Sequence, residues 1–369
     1  MINIRQSNRD TTLTLIPIVA IIGKVIQIFI LPDKYFYDSN RMVSMLTGNG
    51  MMAGWSGYQT TVDIFRKIDI FHFTTHLQWS IALGIIGTVL LMVLCSKCKE
   101  LSMSESVYIL MATGLLNIYV FNIAKEPIQL FFFLCIAIII NLPIENTFLK
   151  IIGCALIYYW ESNTFRTYYI IMACMCIVLY FIFYLLRKTK KKITKTKITI
   201  AIAACFVAMF VFVYASQYID AKSYYQALNI RDSNGNLYAN TSITNIYEVN
   251  DNYGMFMFNY VIAAVRMLIP IELPLKSPVY FPFFIYQIFI LSYWIRALKN
   301  IKILNDRVLL SLICFTAYLF GSFVFEPDFG SWVRHEAASF PIFYFMAIED
   351  LGKKDVTINC EKDAKVTIW

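Results

Sequence analysis

Charge is scarce in this sequence. Asp, Glu, Lys and Arg make up 15% of its 369 residues, against about 25% in soluble domains. With 59% hydrophobic residues and a mean hydropathy of +0.60, that scarcity excludes an ordinary soluble domain. Other signatures are missing as well. No H-E-x-x-H is present, so His72 and His76, which are spaced i, i+4 and able to share a helical face, lack the further ligands a zinc site needs. An interfacial helix start is the plainer reading of that pair. The nine cysteines are scattered. Cys95, Cys135, Cys154, Cys174, Cys176, Cys205 and Cys314 fall in apolar runs, where Cys behaves as a small hydrophobe. Cys95 and Cys98 form one C-x-x-C with no second pair, which supports neither a disulfide framework nor a metal centre. No nucleotide-binding motif, no transporter-like pairing of broken helices and no low-complexity segment beyond one Lys/Thr run is found. We expect no cofactor and no metal ion.

What is present is a series of long apolar runs. About 20 apolar residues cross a hydrocarbon core as a helix. "LTLIPIVAIIGKVIQIFIL" (13–31), "WSIALGIIGTVLLMVLC" (79–95), "YYIIMACMCIVLYFIFYLL" (168–186) and "ITIAIAACFVAMFVFVYA" (198–215) all approach that length. The chain therefore reads as an all-α polytopic integral membrane protein, one membrane domain over 1–369. The first run is too long for a signal peptide and lacks a small-residue cleavage site, so we expect a signal-anchor helix. The net charge of +8 is not a nucleic-acid signature, because the basic residues sit in short connectors, where they set membrane orientation.

"RKTKKKITKTK" (187–197) is the strongest orientation signal and is placed in the cytoplasm. Propagating outward gives long outer loops at about 32–78 and 216–278, a hairpin (about 106–124 and 127–144) turning outside at "NIAKEP", and a cytoplasmic tail at 350–369. A short span (about 148–160) and an outer turn "ESNTFR" precede the span ending at Arg187. Residues 252–278 admit a further span, but that would put "RALKNIKILNDR" (296–307) outside. Reading 254–270 as an outer-face amphipathic or re-entrant helix removes the conflict. About ten spans result, the last three near 279–297, 308–325 and 338–349, with both termini cytoplasmic. Eleven spans is the rival count. The polar stretch 227–254, with "SNGN" as its turn and a sequon at Asn240, reads as a small ordered cap.

This topology puts the chemistry outside. In "EPDFGSWVRHE", Pro327 and Gly330 break the helix, leaving Arg334, His335 and Glu336 at the outer mouth of the final helix. An arginine is the usual phosphate partner, planar, always charged and bidentate. Histidine titrates near neutrality and serves as acid, base or donor. The bland alternative is a solvated connector whose ions pair among themselves. Arg266 interrupts the apolar stretch "FMFNYVIAAVRMLIP", where it either meets a phosphate at headgroup level or snorkels to the interface. Lys125 and Glu126, in a tight turn before Pro127, form a local ion pair at the water boundary, or else Lys125 belongs to the same phosphate-binding basin as Arg334. Asp38 and Arg41 follow the first span in "YFYDSNR", and "GNGMMAGWSGY" after them reads as a mobile covering loop.

The order of "YFYDSNR", the hairpin "NIAKEPIQLFFFL", a late outer segment with an Arg-bearing amphipathic stretch, and an outward R-H-E before the last helix resembles the Wzy-type polymerases. These are bacterial capsule, O-antigen and exopolysaccharide polymerases, related to polytopic membrane glycosyltransferases. The resemblance implies joining of polyprenyl-pyrophosphate-linked oligosaccharide units at the outer face of the bacterial cytoplasmic membrane, with lipid-linked glycan, membrane lipid and a chain-length regulator as candidate partners. Under it, Arg334, Arg266 and Lys125 bind phosphate, and His335 accepts the attacking hydroxyl's proton, with Glu336, Asp328 or Asp38 behind it. Two other readings stay open: a polyprenyl-phosphate-sugar glycosyltransferase using Asp38, and a non-enzymatic polysaccharide or lipid flippase.

Overall fold

The computed structural model describes residues 4–48, 56–188, 194–233 and 241–348. Four sequence features lie partly or wholly outside them: the covering loop over 49–55, the basic run 187–197 over 189–193, the "SNGN" turn with the Asn240 sequon, and the tail from 349. Among the described residues the chain is helical, with no strand beyond one isolated antiparallel bridge between Ser242 and Asp328.

The helices are α1 (Ile4–Val25), α2 (Tyr37–Leu46), α3 (Ser56–Ile68), α4 (His76–Ser96), α5 (Met103–Leu115) and α6 (Glu126–Asn141). Then come α7 (Thr147–Thr164), α8 (Tyr169–Lys188), α9 (Lys195–Ser216), α10 (Ala221–Leu228), α11 (Ile230–Ser233) and α12 (Tyr253–Leu268). The last are α13 (Glu272–Lys276), α14 (Phe281–Lys299), α15 (Asp306–Phe325), α16 (Phe329–Ala338) and α17 (Phe340–Ile348). Seven helices among the described residues are long and apolar enough to cross a membrane, and α6 and α12 are apolar but shorter. The protein is an all-α polytopic membrane protein.

Polar caps start these helices. Thr75 with Gln78, and Ser102 with Glu105, form capping boxes on α4 and α5, each satisfying two otherwise orphaned amides. Asn146, Asn252 and Asn305 cap α7, α12 and α15. Outward faces such as Ile81, Ile85 and Val89 of α4 are exposed apolar surface, as a lipid solvent requires. By contrast α15 is buried from Val308 to Val324 and forms the hub.

Contacts sort the helix ends into two groups. At one end Arg9 donates to the carbonyls of Cys98 (2.9 Å) and Ser96 (3.0 Å), Arg187 pairs with Asp306 (2.6 Å), and Tyr344 reaches Leu94 O (3.0 Å). The other end begins at Lys24. Its ammonium donates to Gln27 Oε1 (2.8 Å), Ser80 Oγ (2.9 Å) and Phe121 O (2.6 Å). Those partners lie where α1 and α5 loosen into π-helical turns (Ile26–Ile30 and Leu116–Val120) and where α4 begins. A deep charge is thus absorbed by a helix-end carbonyl and two polar side chains, holding three helices together. Gly84 makes room for it, since a Cβ there would sit 2.4 Å from Lys24 Cε.

The hairpin turn falls at 121–125, between the π-helical turn that ends at Val120 and Glu126, overlapping the expected "NIAKEP" (122–127). Residues 254–270 were expected as one helix. They form α12, which ends before Pro270 and packs on α15 through Tyr260, whose hydroxyl donates to Phe320 O at 2.9 Å. One expectation needs adjustment at the end of the chain. The stretch after Phe325 is not a turn leading to a single helix but two helices, α16 and α17, separated at Ser339. Pro341 supplies the break, having no amide to donate, while the Ser339 hydroxyl takes up Glu336 O at 2.7 Å.

Candidate functional site

The end opposite the Arg9 and Arg187 contacts gathers most of the charged residues singled out above. The loop from α15 to α16 is built first. Arg231 donates to Phe323 O (2.5 Å) and Glu326 O (3.2 Å), closing the end of α15. The strap at 241–243 then pairs with the loop: Ile243 N donates to Pro327 O and Phe329 N to Thr241 O, both at 2.9 Å. Asp328 starts α16 by accepting from the Ser331 amide at 2.8 Å, a standard N-cap contact.

Arg334 and His335 follow within α16 and face α6. Glu126, in the first turn of α6, lies 3.7 Å from Arg334 Nη1 and 3.6 Å from His335 Nε2. A carboxylate there also suits the positive end of the helix dipole. His335 Nδ1 meets Glu326 Oε1 at 2.6 Å, and the other oxygen of Glu326 accepts from the Ser331 hydroxyl. From the α7–α8 connector, Arg166 Nη2 reaches His335 Nε2 at 2.8 Å and Nη1 donates to Tyr168 Oη at 2.9 Å. Tyr168 is fixed in turn by stacking on Phe325, 4.1 Å between ring centres.

Lys125 adjoins this cluster, next to Glu126. Its ammonium lies 3.9 Å from Asp38 Oδ2 and 4.2 Å from the Tyr58 ring centre, and Tyr58 donates to Asp38 Oδ1 at 2.6 Å. Arg41 sits over the same ring at 5.0 Å. The side chains of Arg334 and Lys125 keep 28% and 23% exposure, whereas Glu126 and Glu326 keep 3% each. The cations are thus partly exposed while Glu126 and Glu326 are buried.

Electrostatics follow from this layout. Burial, and then the neighbouring Arg166 charge, hold His335 below its ordinary value against the pull of Glu326 and Glu126. Burial works to raise Glu326, but His335, Arg166 and Ser331 together bring it below the usual carboxylate value. Burial leaves Asp328 above its own.

Of the seven residues singled out, Asp38, Lys125, Arg334, His335 and Asp328 converge here. Glu336 does not. Successive helical residues are rotated by about 100°, so it points away from Arg166, is fully buried, and takes a hydrogen bond from Gln287 Nε2 at 3.2 Å. Arg266 lies in a fork–fork pair with Glu272 (2.8 and 2.9 Å) and donates to Thr244 O at 2.7 Å. Through Thr244 it reaches the strap that pairs with the Asp328 loop. His72 precedes α4 at φ 52°, and His76 stacks on Phe36, so the two share no helical face. An open groove of about 610 Å³ at the opposite end is lined by Glu145, Lys150, Asn305 and Asp306 among others. There Lys150 is tied to Ile140 O and Asp306 to Arg187.

The sequence alone places Glu126 only in the ion-pair alternative with Lys125 and does not single out Arg166 or Glu326 as site residues. The available signal for Arg166 was a lone cation in the tight connector "ESNTFR". The fold and mouth together define a polytopic helical membrane protein with a charged, partly open site at one end of the bundle. No protein-family model matches the chain, and no curated protein or solved structure is similar to it.

Proposed function

We propose that this protein polymerises polyprenyl-pyrophosphate-linked oligosaccharide units at the outer face of the bacterial cytoplasmic membrane. The observation that carries the reading is the placing of two partly exposed cations, Arg334 and Lys125, beside His335 at one mouth. The basic connectors at the other end of the bundle make that end cytoplasmic by the positive-inside rule, which turns the mouth outward. Ten spans are proposed. The seven long apolar helices are joined by α6, by α7 and by the segment 338–349, while α12 stays at the outer face and α16 forms the re-entering rim.

In the reaction, a sugar hydroxyl oxygen of one unit attacks the anomeric carbon of another. The bond from that carbon to the diphosphate oxygen breaks, and the diphosphate leaves with the electron pair. Arg334 and Lys125 compensate the charge that develops on it. The hydroxyl proton passes to His335 Nε2, the nitrogen not committed to Glu326. Lipid tails on both substrates confine them to the membrane surface, which brings the reacting groups together. Asp328 is a weaker base candidate, since one oxygen is spent capping α16. Arg266 supports the strap instead of contacting phosphate, and Glu336 supports packing against α14.

A second reading is favoured by the Asp38–Lys125 contact: transfer of a single sugar from a polyprenyl monophosphate, with Asp38 as base. Supplying purified protein with each donor separates the two. Products of several repeat units support the polymerase, and one added sugar supports the alternative.

A further inference from the structure

We propose that Arg166 masks the basic nitrogen of His335 and that a phosphate group entering the mouth draws Arg166 away and releases it. The inference rests on the reading that phosphate enters this mouth. It adds a positioning residue that the proposed reaction had not required.

The tautomer follows from the partners. A guanidinium has donors only, so the 2.8 Å contact from Arg166 Nη2 makes His335 Nε2 an acceptor, with its lone pair occupied. The ring proton then sits on Nδ1 and is donated to Glu326 Oε1 at 2.6 Å. Glu326 is held for that role by the Ser331 hydroxyl on its other oxygen. His335 is therefore neutral and correctly oriented, but its base is covered.

Arg166 is the side chain free to uncover it. Arg334 pairs with Glu126, Arg266 with Glu272 and Arg187 with Asp306. Arg166 makes no ion pair among the described residues; its hydrogen bonds go to a neutral imidazole and a phenol. A permanently charged guanidinium bonded only to neutral acceptors gains most from an arriving anion, since charge-assisted bidentate bonds to phosphate are roughly twice as strong as neutral ones. Glu126 and Glu326 act on it only at longer range.

Displacement changes the proton affinity of His335 in a defined direction. The groups facing it are Arg166 from the α7–α8 connector, Glu326 from the α15–α16 loop, and Glu126 from α6. Lys125 lies beside Glu126, and Arg334 and Asp328 are on or at the start of its own helix. Of these, Arg166 opposes protonation most strongly, after burial itself. Removing it leaves Nε2 open and the Glu326 bond intact, so the base appears when phosphate is seated.

The test uses full-length protein with ¹⁵N-labelled histidine in zwitterionic lipid nanodiscs. Only three histidines are present, and His335→Gln assigns the signal. Without ligand, His335 should be neutral, protonated at Nδ1, with a depressed titration midpoint. Inorganic pyrophosphate in one arm, and nanodiscs doped with polyprenyl phosphate in the other, should raise that midpoint by about one pH unit. Movement in the first arm assigns a free phosphate as sufficient; movement in the second alone assigns a lipid-borne one. Arg166→Met should start from the raised midpoint and not move, and Arg166→Lys should retain part of the depression. A wild-type midpoint unmoved in both arms, or an Arg166→Met midpoint equal to wild type, overturns the inference. A midpoint that moves as described while lipid-linked oligosaccharide is never lengthened keeps the inference and sinks the polymerase reading.

Discussion

Glu126 at the start of α6 and His335 in α16 stand 3.6 Å apart, the carboxylate 3% exposed and shared with Arg334. This contact joins the turn of the first hairpin to the last part of the bundle. It also keeps the partly exposed Arg334 guanidinium from lacking a counter-charge. Glu126→Ala should therefore lower stability by about 1–3 kcal/mol, less than a fully buried pair would, because Arg334 keeps some solvent. Thermal unfolding in detergent checks it; an unchanged midpoint would mean the pair contributes nothing.

Acid should destabilise the protein in two windows. His335 is held below its ordinary value in the fold, so the unfolded chain takes up that proton first. The stability involved is complete above the ordinary value of 6.5 and is lost as pH falls through the folded one. Glu326, also depressed, adds a second loss lower down, below 4.5. Asp328 acts in the opposite sense, being raised, and softens that second fall. Unfolding temperatures measured from about pH 8 downward should drop below neutrality, and His335→Gln should flatten the upper window. A profile identical in the variant would refute the assignment.

Two glycines should respond differently to the same change. A Cβ at Gly87 would meet Phe121 Cζ at 2.3 Å, and the Phe121 backbone is pinned by Lys24. Gly87→Ala should cost about 1–3 kcal/mol as overpacking against a rigid ring. A Cβ at Gly321 would meet Met172 Cε at 2.6 Å and Cγ at 2.9 Å, in a side chain with three rotatable bonds, so Gly321→Ala should cost less than Gly87→Ala. Equal losses in unfolding experiments would show that Phe121 yields as readily as Met172.

Arg266 and Arg334 should separate by function. Arg334→Ala should weaken pyrophosphate binding at least tenfold, about 1.4 kcal/mol. Arg266→Ala removes the pair with Glu272 and the bond to Thr244 O, so it should lower stability and leave pyrophosphate affinity unchanged. Calorimetric titration of both variants decides; loss of affinity in Arg266→Ala would return that residue to the phosphate site.

The parts legible in the sequence were those with local causes. Apolar runs, capping residues and Pro127 place the hairpin and the long helices, and Pro327 ends α15 as expected. Lys125, Arg334 and His335 were found because charge next to an apolar run is conspicuous. What the sequence concealed depends on rotation and long-range pairing. Arg334, His335 and Glu336 are consecutive in α16, and the sequence does not show which neighbouring helix each turns toward, so the divergence of Glu336 from His335 was not apparent. Arg166 meets His335 across 169 positions, and no local pattern records such a contact. In the sequence Arg266 reads as meeting phosphate or snorkelling because its partner Glu272 follows α12 beyond Pro270, where the chain must turn back to meet it.

Activity of Arg334→Ala in lipid nanodiscs supplied with polyprenyl-pyrophosphate-linked oligosaccharide tests the central claim most directly. The account predicts a ladder of lengthened products from the wild type. It predicts a loss of about 100-fold or more from the variant, the cost of removing one charge-stabilising group from a transition state. A wild-type ladder reproduced at full rate and length by Arg334→Ala, or no lengthened product from the folded wild type, would contradict it.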